Sequence, residues 1–243
     1  MRRDTKILVG ALLVVLVIAI ARGVINTTSL LLLLAIVPSV ILHEVSHGIV
    51  ANYFGDDTAK RAGRLSLNPL RHIDIFGTLI LPAVMVIIGV PPLGYAKPVP
   101  VDVSRLRRPR NQSLYVSLAG PLVNIVISLV AGFVLRSVIL GQLRATPLIS
   151  QAQVGNGLWV LFLFYLGSTN LVLAIFNLIP IPPLDGSAIV ERLLPRHLWP
   201  RYLMIRRFAL PVVIGLFLLF PTAFTYLSTP IIAKWISLFV PGG

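Results

Sequence analysis

Two histidines and a glutamate lie together in an otherwise apolar run of the chain. Residues 43–47 read His-Glu-Val-Ser-His. On a helix, residues four positions apart differ by about 40° around the axis and about 6 Å along it, so the imidazoles of His43 and His47 can face one metal ion. Glu44 lies one position further round, where it can act as general base on an attacking water. The spacing predicts a hydrolytic zinc site.

The composition indicates what surrounds these residues. Of the 243 residues, 56% are hydrophobic and 12% are charged, and the mean hydropathy is +0.91. Soluble domains have about 45–50% apolar and about 25% charged residues, so a multi-pass membrane protein is predicted. A five-residue motif can arise by chance, and buried histidines can simply bond to neighbours. Ionisable groups at membrane depth are costly, however, which favours the functional interpretation.

A catalytic zinc site usually has a third protein ligand. The chain has no cysteine, so this ligand must be His, Asp or Glu. Elimination among the eight acidic residues leaves Asp185, since Glu44 is the candidate base and the other six lie at the terminus, in predicted loops or in a basic helical stretch. Asp185 is the next-to-last residue of FNLIPIPPLDG (176–186), whose prolines break a helix and leave carbonyls and Asn177 able to line a polar cavity. A helix stop followed by an ordinary turn is the alternative.

Apolar stretches supply the elements that must position these side chains. They cover residues 7–21, 24–54, 75–93, 113–140, 157–181 and 208–239. A membrane helix needs about 20 apolar residues. The predicted fold is therefore an α-helical polytopic membrane protein with five to six transmembrane segments, the last one broken near Pro221 and Pro230. The first stretch is interpreted as a retained helix, with a cleaved signal peptide as the alternative.

The basic residues predict the topology. The net charge of +13 is concentrated in the short loops 55–74 and 94–112 and in the segment 185–207. This is the pattern of the positive-inside rule and argues against nucleic-acid binding. If both loops are cytoplasmic, the stretch 75–93 is a re-entrant element, with a plain spanning helix as the alternative. Segments 24–54 and 157–181 then both run inward and bring His43, His47 and Asp185 to one cytoplasmic-facing depth.

Several longer motifs carry a family resemblance. They are HEVSHG, RAGRLSLNPLRHIDIFGTLILP, GYAKPVPV, SLAGPLVN and NLIPIPPLDG, between residues 40 and 195. The chain resembles the site-2 protease family, the intramembrane zinc metalloproteases. The resemblance implies one catalytic zinc ion held by His43, His47 and Asp185, with Glu44 as the catalytic glutamate. It divides the chain into an N-terminal helix or signal anchor (1–23), a catalytic membrane core (24–195) and a C-terminal transmembrane segment (196–243).

The resemblance also implies substrate-binding residues. Asn177 matches the asparagine that helps to hold the substrate or the oxyanion. Residues 92–103 resemble a small membrane-associated β-hairpin whose edge binds an unwound substrate, through Lys97, Pro98 and Val99. An open sheet edge suits this role because it can pair with an extended peptide. A proline-rich connecting loop is the alternative.

Three more residues have supporting roles. Asn124 and Gly120 match a helix-packing motif, and we interpret them as a close helix contact with an interhelical amide hydrogen bond. His72 precedes the predicted re-entrant element. We interpret it as an interfacial histidine rather than a metal ligand, with an outer role around the site or in substrate gating as the alternative.

The resemblance further implies the partners of the protein. Substrates would be single-pass proteins in the lipid bilayer of the cell membrane, such as anti-sigma factors, membrane-tethered regulators or signal-peptide remnants. The chain shows neither a PDZ domain nor a CBS pair, so substrate filtering is expected from partners in trans. Two other classes remain as alternatives: a membrane zinc transporter or sensor, and a catalytically dead scaffold. Glu44 beside the metal-ligand histidines argues against both.

Overall fold

The structure, a computed structural model, describes residues 26–74, 96–145, 157–198 and 221–241, with the positions 21, 23, 80, 201–202, 204, 208 and 215. These described residues form six helices and no strand. The helices are α1 (Thr27–Tyr53), α2 (Thr58–Arg61), α3 (Pro109–Ala145), α4 (Leu158–Asn177), α5 (Ser187–Leu193) and α6 (Pro221–Phe239). Short 3-10 turns cover Pro69–Arg71, Val103–Arg105 and Arg196–Leu198.

Three of these helices have the length and composition of membrane spans. They are α1, α3 and α4. Large apolar side chains such as Leu33, Phe133 and Trp159 are more than half exposed on them, as expected of a surface that faces lipid. The helical membrane class is confirmed, but the total of five to six spans is not. The predicted N-terminal helix and nearly all of 75–93 lie outside the described residues.

Helices α1 and α3 run antiparallel. His47, late in α1, contacts the carbonyl of Val116 early in α3, whereas His43, one turn earlier, contacts Asn124 further along α3. As the residue number rises along one helix it falls along the other. The end of α1 and the start of α3 therefore lie on the same side of the bundle.

Helices α3 and α4 are also antiparallel. Asn124 bonds to Asn170 near the end of α4, whereas Leu135 packs in one cluster with Val160 near its start. Helices α1 and α4 consequently run in the same direction. This arrangement agrees with the relative directions predicted from the loop charges.

Local sequence signals fix both ends of α1. Asn26 caps its start: the side chain of Asn26 accepts from the backbone of Ser29, and the hydroxyl of Ser29 accepts from the backbone of Asn26. At the other end, Gly55 has φ +111°, and the N–H of Asp56 donates to the carbonyl of Ala51 at 3.0 Å. This is a Schellman motif, which needs a glycine at the residue with positive φ.

Helix α6 packs against the ends of α3 and α4. Trp235 and Phe239 are buried there, and a Cβ atom on Gly167 of α4 would overlap the Trp235 ring. Residues 216–220 lie outside the described residues, so the break predicted near Pro221 stays a prediction. The break predicted near Pro230 is wrong, because α6 continues through that residue to Phe239.

Candidate active site

Three metal-binding side chains from two distant parts of the chain meet at one point. His43 and His47 lie one turn apart on the buried face of α1, and Asp185 lies in the turn between α4 and α5. The Nε2 atoms of His43 and His47 lie 3.0 and 3.4 Å from Oδ2 of Asp185. The ligand atoms of all three lie within 4.8 Å of one another. The structure therefore brings together the residues that the sequence nominated.

Each imidazole is oriented by a hydrogen bond at its other nitrogen. The Nδ1 atom of His43 lies 2.5 Å from the side-chain oxygen of Asn124, and the Nδ1 atom of His47 lies 2.7 Å from the carbonyl oxygen of Val116. An oxygen acceptor at Nδ1 requires a proton there, so Nε2 is the ring nitrogen that is left either to donate to Asp185 or, when deprotonated, to bind a metal. Metal-binding histidines are characteristically held in this way.

The spacing suits zinc. Two ligand atoms at tetrahedral positions about 2.0 Å from zinc lie about 3.3 Å apart, which matches both Asp185 distances. Gly120 of α3 leaves the necessary room, because a Cβ atom there would come within 2.5 Å of both Nε2 atoms. Burial raises the pKa of Asp185, but the hydrogen bonds from His43 and His47 outweigh it and lower the pKa below its ordinary value. Asp185 is therefore a carboxylate, as a ligand must be.

A tight turn after α4 presents Asp185. Helix α4 ends at Asn177, and the carbonyl of Asn177 accepts from the N–H of Gly186 at 2.6 Å. A side chain at position 186 would collide with the carbonyl of Leu178. The predicted helix break is confirmed. The side-chain amide of Asn177 donates to the carbonyl of Leu173 in its own helix at 2.9 Å, so the role predicted for Asn177 in holding the substrate stays a prediction.

Glu44 is held by the segment 96–102. Its Oε2 atom accepts from the backbone N–H of Val99 at 2.8 Å. The same segment is anchored at Lys97, whose N–H donates to the carbonyl of His72 at 2.9 Å and whose carbonyl accepts from Arg64 at 2.6 Å. Arg64 is 8% exposed. This buried arginine thus fixes the backbone that holds Glu44.

The predicted β-hairpin at 92–103 is not confirmed. Residues 96–102 form no strand, and residues 92–95 lie outside the described part of the chain. Lys97 and Pro98 are exposed, whereas Val99 is buried against α1, where a Cβ atom on Gly48 would come within 2.9 Å of it. The backbone hydrogen bonds of the segment 96–102 go to side chains and to the 62–74 loop. The segment therefore does not pair with a neighbouring strand.

His72 is buried and does not join the metal group. It is 3% exposed, and its Nε2 atom lies 2.8 Å from the carbonyl oxygen of Ser66. Its backbone supports Lys97, as described above. Its contribution in this structure is therefore to the loop that carries the segment 96–102.

Asp56 anchors the far end of that segment. The side chain is fully buried, Oδ1 accepts from the backbone and hydroxyl of Thr58, and Oδ2 accepts from the N–H of Asp102 at 2.7 Å. Burial raises the pKa of Asp56, but the hydrogen bonds from Thr58 and Asp102 outweigh it, so the pKa lies below its ordinary value. A residue that the sequence assigned only to a loop thus connects the end of α1 to residue 102.

The packing predicted for Asn124 and Gly120 is present. Asn124 donates an interhelical hydrogen bond to Asn170 at 2.7 Å, and Gly120 lies against the two histidines. The contact of Asn124 with His43 was not predicted from the sequence. The hydrogen bonds of Asn170 and Ser39 were not predicted either, although Asn170 is an amide in an apolar stretch and Ser39 lies one turn before His43 on the same face.

Comparison with known proteins decides the family. A model of peptidase family M50 matches residues 31–220, well over half of the chain, and includes all three metal-group residues and Glu44. The chain belongs to peptidase family M50. The resemblance to the site-2 proteases is thereby confirmed, and the M50 chain is an intramembrane zinc metalloprotease.

Named relatives agree with this family. The M50 chain is 38% identical over 164 residues to "Putative zinc metalloprotease YwhC" of Bacillus subtilis, covering 68% of this chain and 69% of the relative. It is 34% identical to "Putative zinc metalloprotease Rip2" of Mycolicibacterium smegmatis, covering 63% of this chain and 53% of the relative. It is 33% identical to the protein of the same name from Mycobacterium tuberculosis, covering 74% of this chain and 63% of the relative. No solved structure gave a significant match.

Proposed function

We propose that His43, His47 and Asp185 are the zinc ligands of this protease. The observation that carries the proposal is the convergence of both Nε2 atoms on Oδ2 of Asp185. When bound, zinc supplies a Lewis acid that polarises the scissile carbonyl and lowers the pKa of water. Gly120 keeps the space beside the two histidines open. The acceptors at both Nδ1 atoms leave Nε2 as the metal-binding nitrogen of each ring.

Glu44 is the proposed general base. It follows His43 on α1, and its carboxylate is held by the N–H of Val99. In the proposed reaction Glu44 takes a proton from the attacking water and gives it to the leaving amine nitrogen as the peptide bond breaks. A positioned acid–base group of this kind typically contributes about 10²–10⁴-fold to the rate.

The segment 96–102 is the proposed binding surface for the extended substrate. Arg64, His72 and Asp56 hold its backbone at defined points, and Val99 brings it to Glu44. A substrate peptide that lies along this segment would have its scissile bond beside the base. Asn177 is the proposed second contact to the substrate, and this role requires its amide to turn away from the carbonyl of Leu173.

The proposed substrates are single-pass membrane proteins, and the site is proposed to face the cytoplasmic half of the bilayer. Exposed basic side chains lie next to the end of α1 and the start of α3: Lys60 and Arg61 on α2, and Arg107 and Arg108 just before α3. Positive charge beside membrane helices favours the cytoplasmic side. Anti-sigma factors, membrane-tethered regulators and signal-peptide remnants are the classes to test, together with filtering partners in trans.

Two variants test the proposed site. Asp185→Asn should weaken zinc binding and abolish cleavage together, because it removes a ligand charge. Glu44→Gln should keep zinc near one ion per chain and lose cleavage by about 10²–10⁴-fold, because the base alone is gone. Full cleavage by Glu44→Gln, or full zinc binding and full cleavage by Asp185→Asn, would contradict the proposal.

The same two variants separate protease from transporter and identify substrates. Zinc uptake into proteoliposomes that depends on Asp185 but not on Glu44 would favour a transporter. Membrane-fragment proteomics of cells that express the wild type or Glu44→Gln should show peptides that only the wild type produces. Their cleavage positions would also give the side of the membrane from which the bond is reached.

A further inference from the structure

A continuous line of buried polar side chains leads from His43 into the centre of the bundle. Nδ1 of His43 lies 2.5 Å from Asn124, Asn124 donates to Asn170 at 2.7 Å, and Asn170 donates to Ser39 at 2.7 Å. Ser39 in turn donates to the carbonyl of Ala35 at 2.6 Å. Asn124 and Asn170 are 0% exposed and Ser39 is 1% exposed. The three main helices each contribute to this line.

The direction of every hydrogen bond in the line is determined. The amide nitrogen of Asn170 faces two oxygens, the hydroxyl of Ser39 and the carbonyl of Leu166 at 2.8 Å. A carbonyl can only accept, and the hydroxyl hydrogen of Ser39 is already used. The amide oxygen of Asn170 must therefore face Asn124 and accept from its NH2 group.

The orientation of Asn124 follows from that of Asn170. Because the NH2 group of Asn124 is used by Asn170, its oxygen faces His43, and Nδ1 of His43 must carry a proton whether or not Nε2, which lies 3.0 Å from Oδ2 of Asp185, carries one as well. His47 differs, because its Nδ1 acceptor is the backbone carbonyl of Val116, which cannot turn round. Of the two ligand imidazoles, only His43 depends on the orientation of an amide side chain.

We propose that Asn170 and Ser39 are positioning residues that fix the tautomer of His43. Without Asn170 the amide of Asn124 can turn and donate to Nδ1, which moves the proton of His43 to Nε2, the ligand atom. The effect on zinc rests on the proposed ligand role of His43. Loss of such an outer hydrogen bond typically weakens metal binding by about 10–100-fold.

The first experiment reads the tautomer in metal-free protein. Protein with 15N-labelled histidine is measured in detergent at a pH where the ring 15N shifts themselves show neutral imidazole. The two neutral tautomers then give distinct signals by NMR. His43 is assigned by comparison with His43→Gln. The wild type should show the Nδ1–H form, and Asn170→Leu should shift His43 towards the Nε2–H form. An unshifted His43 in Asn170→Leu would overturn the proposal.

Zinc affinity, measured by chelator competition, is the second readout. Asn170→Leu should bind zinc about 10–100-fold more weakly. Ser39→Ala should have a smaller effect, because the carbonyl of Leu166 still holds the Asn170 amide. Ser128→Ala is the matched control: its hydroxyl is buried one turn along α3 from Asn124 and has no hydrogen-bond partner among the described residues. An equal loss in Ser128→Ala would overturn the proposal.

Rescue separates positioning from a purely structural role. In Asn124→Asp both side-chain oxygens accept, so the carboxylate holds the Nδ1 proton whichever way it turns. Adding Asn124→Asp should restore zinc affinity to Asn170→Leu, and no rescue would overturn the proposal. If Asn170→Leu gives no folded protein, Asn124→Asp is added to Ser39→Ala instead, and recovery of its zinc affinity is measured. If His43→Gln binds zinc with the affinity of the wild type, the proposed ligand set is overturned. The NMR spectra of metal-free protein would still test the tautomer of His43.

Discussion

The backbone N–H of Val99 donates a hydrogen bond to the carboxylate of Glu44 at 2.8 Å. The proposed general base is therefore bonded directly to the proposed substrate-binding segment. A change that moves residues 96–102 should displace the Glu44 side chain and alter turnover, whereas the described hydrogen bonds of His43, His47 and Asp185 do not involve this segment.

Val99→Pro tests this relationship, because proline has no backbone N–H. We expect cleavage to fall by up to about 10²–10⁴-fold, the full contribution of a positioned acid–base group, while zinc stays near one ion per chain. Val99→Ala is the control, since it keeps the N–H and loses only side-chain packing. Equal turnover of the two variants in a membrane-substrate assay would show that the hydrogen bond is unimportant.

Gly120→Ala should impair the metal site directly. The new Cβ atom would come within 2.5 Å of the Nε2 atoms of both His43 and His47. We expect zinc affinity to fall by about 10–100-fold, as for other disturbances of ligand orientation. Gly141→Ala on the same helix has nothing within 4 Å of its new Cβ and should stabilise α3 by about 0.5–1 kcal/mol. Chelator competition on both variants measures the difference, and equal affinities would contradict the close contact.

Asp56→Asn should destabilise the protein in a pH-dependent way. Both carboxylate oxygens of Asp56 accept hydrogen bonds, whereas an amide has one accepting oxygen, so one buried donor loses its acceptor at a cost of about 1–3 kcal/mol. Because the folded pKa is lowered, this stabilisation is present above the ordinary pKa of 3.8 and is lost as the pH falls through the folded value.

The difference in stability between wild type and Asp56→Asn should therefore be largest near neutral pH and shrink as the pH falls below 3.8 and through the lower pKa of the folded state. Thermal unfolding of detergent-solubilised protein across this pH range measures it. Asp57→Asn is the control, because the Asp57 side chain is about half exposed and its ion pairs with Arg61 and Arg105 are each worth about 0–1 kcal/mol. A constant difference at every pH would contradict the role assigned to the Asp56 charge.

Cysteine labelling tests the proposed membrane orientation on a chain that has no cysteine of its own. Lys60→Cys, Arg108→Cys and His197→Cys are at exposed positions and should react from the cytoplasm. Arg144→Cys should react from outside, because the 37 residues of α3 extend about 55 Å at about 1.5 Å per residue, more than the bilayer core of about 30 Å. Labelling of Arg108→Cys from outside would invert the proposed orientation.

Short-range sequence signals predicted the elements of the site well. The spacing of His43 and His47 put both on one face of α1, and the prolines and Gly186 after Asn177 predicted the end of α4 and the turn that presents Asp185. These features depend on helix periodicity and on the restricted dihedrals of proline and glycine, which act within a few residues. Loop charge also predicted that α1 and α4 run in the same direction.

The break predicted at Pro230 is wrong, and the β-hairpin predicted at 92–103 is not confirmed. The two outcomes share one reason. Both depended on local preference, and tertiary contacts decided the outcome. The segment 96–102 has its backbone bonded to Arg64, His72, Glu44 and Asp56 instead of to a neighbouring strand. Helix α6 passes through Pro230 while Trp235 and Phe239 pack against α3 and α4.

By itself, the sequence determined the family, the metal group, the candidate base and the helices that carry them. Short motifs and helix periodicity identify these features, and Asp185 follows by elimination among the acidic residues. Only the tertiary structure determined that Asn124 contacts His43, that Asn170 and Ser39 extend this contact, and that Val99 holds Glu44. These partners are 46 to 131 residues apart in the chain. Hydrogen bonds act over about 3 Å, so such pairs become visible only when the packed helices fix which buried polar atoms meet.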